Sequence, residues 1–185
     1  MIAEVGLVSM LLALACAVYA TVAALWGAGN RLAPGNVAVP LSGERSKWVL
    51  SARNAALLAF GLLSLSCGAL IIALVNGEFH LKYVYNTTMR SADVFFKVTA
   101  LWGGQEGSLL FWSWLMSLFA TAAVLINWRS HRRLMPIVLA VTMLTLAFFL
   151  SLTTFFANPF ERFWADPDTG NVQTTPFQPA DTAAV

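Results

Sequence analysis

The chain has 185 residues, of which 58% are hydrophobic and 11% charged, with a mean hydropathy of +0.70. A soluble domain carries about 25% charged residues, so this composition excludes an ordinary water-soluble fold and describes an integral membrane protein. The net charge is +2, and its distribution matters more than its size. The two cysteines, Cys16 and Cys67, lie inside apolar runs, and no CxxC or CxxCH occurs. Both therefore read as buried thiols rather than as a disulfide or metal site.

The first apolar run covers residues 5–28, enough to cross a hydrocarbon core of about 30 Å at 1.5 Å per residue. Only Glu4, and no Lys or Arg, precedes it. A cleavable signal peptide has a basic start and a shorter apolar core, so this run reads as a retained helix with its N-terminus outside. Trp26 reads as an interfacial anchor near its far end. Residues 30–52 read as a polar loop punctuated by Pro34, Gly35, Pro40 and Gly43. The second span is predicted over 54–75. Ser64 and Gly68 stand four apart in it, a spacing that can seat a neighbouring helix.

Residues 76–107 form the longest polar connection. Phe79, Leu81, Tyr83 and Tyr85 alternate with His80, Lys82 and Val84, which predicts a short extended segment. Ser91 is a candidate cap for a short amphipathic helix with Val94, Phe95, Val98, Leu101 and Trp102 on its apolar face, lying in the membrane interface. Asp93 and Lys97, four apart, can pair on its wet side. This leads into a turn over 102–114 that contains Trp102, Gly103, Gly104, Glu106, Gly107, Trp112 and Trp114. Glycine lets another surface come close, and tryptophan supplies a flat apolar face. The same features also suit a plain interfacial turn.

The third span is predicted over 109–126 and the fourth over 136–156, with Pro136 tolerated in its first turn. The basic turn between them holds Arg129, His131, Arg132 and Arg133. Asn158-Pro159 breaks the last helix, and the polar composition from Trp164 onward predicts an extended or disordered tail. The expected organisation is thus an all-α membrane protein: a four-helix domain over 1–157, then a polar tail over 158–185.

Charge sets the orientation. The connections between spans 1 and 2 and between spans 3 and 4 hold Arg31, Arg45, Lys47, Arg53, Arg129, Arg132 and Arg133, with Glu44 their only acid. The termini and the central connection hold eight acids against Lys82, Arg90, Lys97 and Arg162. Basic connections stay in the cytoplasm, so both termini and the tryptophan turn are predicted to face outward.

The run Trp102-Gly103-Gly104-x-Glu106-Gly107-Ser108-Leu109-Leu110-x-Trp112 resembles the WGGxEGSLLxW signature of the CcmF/NrfE family, the haem lyase subunits of cytochrome c maturation. Tyr83-Val84, Lys97 and the segment Asn158-Pro159-Phe160-Glu161-Arg162 match further family features, as does the four-span layout. The resemblance covers nearly the whole chain but only the N-terminal part of a much longer family protein.

The resemblance implies a role in joining haem covalently to apocytochrome c at the outer face of the cytoplasmic membrane. The implied partners are a haem chaperone, apocytochrome c and its presenting subunits, the remainder of the lyase, and the lipid bilayer; no nucleic-acid partner is expected. It implies that Trp102, Gly103, Gly104, Glu106, Gly107 and Trp112 line a haem or apocytochrome wall; Arg90 and Lys97 are candidates to meet haem propionates, the alternative being that they only anchor lipid headgroups. The family's tryptophan-rich WWD segment, its HPP segment and its membrane histidines are absent from this sequence. Only His80 and His131 are present, and neither matches a family ligand. No catalytic residue and no metal ligand is therefore assigned, and the chain is expected to be a structural part or split subunit of a lyase, not catalytic alone. The alternative is a non-catalytic scaffold or accessory subunit of another complex. A transporter is disfavoured because no Asp, Glu, Lys, Arg or His lies within the predicted spans.

Overall fold

The structure, a computed structural model, describes residues 2–29, 43–128, 134–165, 171–179 and 183–184. The loop prolines and Arg31, the basic turn with His131, and Asp166, Asp168 and Asp181 lie outside the described residues. Four long helices dominate: α1 (Ile2–Ala28), α2 (Gly43–Asn76), α5 (Gln105–Asn127) and α6 (Met135–Phe155), each long and apolar enough to cross a membrane. Helices suit that role because each satisfies its own backbone hydrogen bonds where water is absent. Between α2 and α5 lie two single-turn helices, α3 (Lys82–Thr87) and α4 (Val94–Thr99), and a 3-10 turn over Ala100–Trp102.

The helices pack through small residues. α1 turns Ala3, Gly6, Met10, Ala13, Ala17, Ala20 and Ala24 inward at helical spacing. Against it, α2 buries Ala52, Ala56, Leu63, Ser66, Leu70 and Ala73. Small faces let backbones approach closely, which is how helices associate in lipid. The Ser66 hydroxyl donates to the Gly6 carbonyl at 2.9 Å across this contact. α6 packs on α1, and α5 leans on α2 and α6.

The first three predicted spans fall within these helices, and the fourth overruns α6 by one residue, Phe156. α2 begins at Gly43, so residues 43–52, read as loop, are helical. Charged residues do not break a helix outside the hydrocarbon layer, and this stretch has no proline. α2 ends in a Schellman turn. Gly77 has φ +69°, its N–H donates to Leu74 O at 3.3 Å, and Glu78 N–H donates to Ala73 O at 3.0 Å. Of the proposed small-residue pair, Ser64 seats a neighbour, because the Trp114 indole N–H donates to its hydroxyl at 2.9 Å. Gly68 does not, since a Cβ there would meet nothing within 4 Å.

The alternating segment 79–85 is not a strand. Leu81 alone is extended and bridges to Arg162, and the chain then coils into α3. One turn of helix buries the adjacent Tyr83 and Val84 together, which an alternating strand cannot do. The interfacial helix exists but is shorter than expected. Asp93, not Ser91, holds its N-cap position, and no α4 residue is buried.

Residues past 157 enter the packing. Asn158 Oδ1 accepts the Phe160 N–H at 2.9 Å, a local turn that drives Phe160 into the core, where it is fully buried. The chain beyond forms a three-stranded antiparallel sheet, ordered β2 (Val172–Thr175), β1 (Arg162–Ala165), β3 (Ala183–Ala184). The polar composition that suggests a free tail hides Phe160 and Trp164, both buried.

Candidate functional site

The turn is built around Tyr83. Its hydroxyl donates to the Ala100 carbonyl at 2.6 Å, with the Leu101 carbonyl also within reach at 3.1 Å, and accepts the Gly104 N–H at 3.3 Å. The Ala100 carbonyl also accepts the Gly103 N–H at 3.0 Å, so the phenol adds a second bond to the 3-10 turn and ties it to α3. Burial is the main reason the Tyr83 hydroxyl is pushed up to about 12 from an ordinary 10.0; the Glu106 carboxylate adds to the rise, while the Gly104 and Gly107 N–H groups oppose it. It is therefore a neutral donor.

Two glycines make room for that ring. A Cβ at Gly104 would meet Tyr83 Cε2 at 2.9 Å and Thr87 Cγ2 at 3.1 Å. A Cβ at Gly107 would collide with the Tyr83 hydroxyl and the Leu101 carbonyl. Gly103 is different: a Cβ there would meet only Ala100 backbone at 3.5 Å, an ordinary contact. Gly104 takes the extended N-cap conformation (φ −121°, ψ 165°), and α5 starts at Gln105. The Ser108 hydroxyl donates to the carbonyls of Gly104 at 2.6 Å and Trp102 at 2.9 Å, tying the turn to the first coil of α5.

An aromatic row runs from the turn down α5. The Trp102 ring lies 5.5 Å from Phe111, which stacks at 5.9 Å on Trp114, which in turn stacks at 6.4 Å on Phe60 of α2. Trp112 meets the edge of Phe111 at 6.4 Å. Trp102 and Trp112 are 49% and 64% exposed, whereas Trp114 is half-buried. The row ends in two open indole faces.

The predicted site residues separate into two groups. Trp102, Gly103, Gly104, Glu106 and Gly107 come together at the turn, with Trp112 further along α5. Arg90 and Lys97 are engaged elsewhere. The Arg90 guanidinium lies 5.3 Å over the Phe79 ring, and Lys97 Nζ donates to the Val75 carbonyl at 3.5 Å. That carbonyl ends α2, so Lys97 caps the negative end of a long helix. Glu106 is half-buried in the first turn of α5, where a carboxylate suits the helix dipole.

A second cluster at the same end was visible only as a motif. Lys82 Nζ pairs with Glu161 at 2.8 Å, Lys82 N–H donates to Glu161 O at 2.9 Å, and Phe163 N–H donates to His80 O at 3.1 Å. Arg162, buried, reaches Glu4 at 3.2 Å and lies 5.7 Å over Trp164. Phe160 fills the space that a side chain on Gly6 would need. Phe160 stood out only as part of that motif and Gly6 not at all, because the two are close only in space. His80 sits 3.7 Å from Glu78, and burial outweighs that carboxylate in holding its imidazole below the usual 6.5.

This geometry offers a flat aromatic face and a rigid backbone turn. His80 is built into the sheet-side cluster, and no group of three or more His, Cys, Asp or Glu side chains is placed to hold a metal ion among the described residues. The arrangement can stack against a flat apolar group through Trp102 and Trp112.

No family model matches the chain. Cytochrome c-type biogenesis protein ccl1 of Rhodobacter capsulatus is 36% identical over 135 residues, covering 71% of this chain and 21% of the relative. CycK of Rhizobium meliloti is 32% identical over 173 residues, 92% of this chain and 23% of the relative. Over most of its length the chain is similar to the CcmF/NrfE family of cytochrome c-type biogenesis proteins. CcmF of Escherichia coli K12 is 31% identical over 162 residues, 88% of this chain and 23% of the relative. A solved cytochrome c haem lyase CcmF superposes with a TM-score of 0.70 at 25% identity, covering 86% of this chain and 25% of that one. The chain thus spans about a quarter of the length of the CcmF-type proteins it matches.

Proposed function

We propose that this chain forms the membrane section of a cytochrome c haem lyase that carries the tryptophan turn, at the outer face of the cytoplasmic membrane. The observation that carries this reading is the similarity to a solved haem lyase over 86% of the chain. The charge distribution supports the orientation. Trp102 and Trp112 supply an apolar wall for haem or for the apocytochrome segment. Tyr83 and the glycines under it hold that wall in place and do not themselves contact the substrate. Haem ligation and the chemistry of thioether formation belong to the remainder of the lyase, which carries the WWD and HPP segments, and haem delivery to a chaperone.

Absorption spectra of the detergent-purified chain test this division. The chain alone is expected to lack a stoichiometric haem band. Co-expressed with the remainder of a CcmF-type lyase, it is expected to co-purify with a haem-bearing complex. Failure to associate, or stoichiometric haem on the isolated chain, contradicts the proposal.

A further inference from the structure

The six residues of α4 are anomalous for a helix built into a folded protein. None is buried, and Val94, Phe95 and Phe96 are 61%, 71% and 62% exposed, the two rings meeting edge to face at 5.7 Å. Yet α4 is firmly placed. Lys97, the next residue, holds the last turn of α2 through the Val75 carbonyl at 3.5 Å. The 3-10 turn that follows ends at Trp102, which packs on Phe111 in the second turn of α5. Two membrane-spanning helices therefore fix α4 at the level of their own ends, with its apolar side chains held out from the bundle.

We propose that Val94, Phe95 and Phe96 insert into the bilayer interface and set the depth of the tryptophan turn. The occupant of this face is lipid, because Lys97 ties the ridge to the last turn of α2, a helix long and apolar enough to cross a membrane. It shares the level at which α2 ends, and Trp102 beside it is half exposed. Aromatic side chains at that level sit where hydrocarbon meets headgroups. Asp93 and Arg90, both exposed on the connection before it, keep the preceding backbone in water. The ridge is too short to bind a membrane as a free helix; its anchoring by Lys97 makes insertion follow from the position of α2. This inference rests on the four helices spanning a bilayer and not on the haem lyase reading.

The test uses the unaltered chain in phosphatidylcholine–phosphatidylglycerol vesicles containing a lipid with a diazirine near its acyl carbonyl. After illumination, mass spectrometry is expected to find lipid adducts on 94–96 as well as on the spans. Adducts confined to the spans overturn the proposal. A second measurement places a spin label at position 95 or 96 in a chain carrying Cys16→Ala and Cys67→Ala. Collision with oxygen is expected to exceed collision with a water-soluble nickel chelate, with the order reversed for a label at position 93. A label at 95 and 96 that meets the nickel chelate more often, or that is shielded from both by protein, overturns it.

Discussion

The Tyr83 hydroxyl occupies the space that a Cβ on Gly107 would need. The tryptophan turn is therefore closed from inside, by a phenol from a preceding helix. Glycine at 107 serves this internal contact, and the outer face of the turn is left to Trp102 and Trp112.

Substitution across the three glycines separates this account from one in which all of them face a ligand. Gly107→Ala is expected to cost about 1–3 kcal/mol through overpacking against Tyr83. Gly103→Ala, with ordinary contact distances, is expected to stay within about 0.5 kcal/mol. Denaturation midpoints of the detergent-solubilised variants check both.

Tyr83→Phe keeps the ring but removes the donor to Ala100 O and the acceptor for Gly104 N–H. The Ala100 carbonyl keeps the Gly103 N–H, so the loss falls on the Gly104 N–H and on one strong bond to the turn, and is expected to cost about 1–3 kcal/mol. A lowered thermal midpoint together with faster amide exchange at Gly104 is the expected outcome.

The pH dependence has a definite sign. The folded Tyr83 value of about 12 lies above the ordinary 10.0, so the folded state keeps its proton where the unfolded chain has lost it. The stability from this group is fully present below pH 10 and is lost as pH rises through about 12. Phenolate absorbance is expected to show one late-titrating tyrosine that disappears in Tyr83→Phe.

Phe160→Ala removes a fully buried ring from beside Gly6 and is expected to cost about 3–5 kcal/mol. The same midpoint measurement checks it, and a near-neutral result would mean that the segment after α6 is not part of the packed core.

Much of this was legible in the sequence because hydropathy reports spans directly. The four apolar runs, the Pro136 start and the helix break at Asn158-Pro159 all reappear in the structure. The turn was legible as a motif, but its organisation was not. Tyr83 reads as one member of an alternating segment until α3 coils and buries it beside Val84. Gly103, Gly104 and Gly107 are alike in sequence, and only the direction of the Tyr83 ring distinguishes them. Lys97 and Arg90 look like free cations, whereas one caps α2 and the other covers Phe79. Gly6 and Phe160 lie at opposite ends of the described helices, and no local pattern links them. The polar composition after 157 masks the two aromatic residues that enter the core.

The most direct measurement of the central claim is covalent haem on c-type cytochromes in cells lacking this chain, complemented with either the native chain or a Trp102→Ala, Trp112→Ala variant that still inserts and folds. The account predicts that haem-stained cytochrome c disappears without the chain, returns with the native one, and is strongly reduced with the variant. Normal cytochrome c maturation without the chain would contradict its place in a haem lyase, and full activity of the variant would contradict the proposed wall.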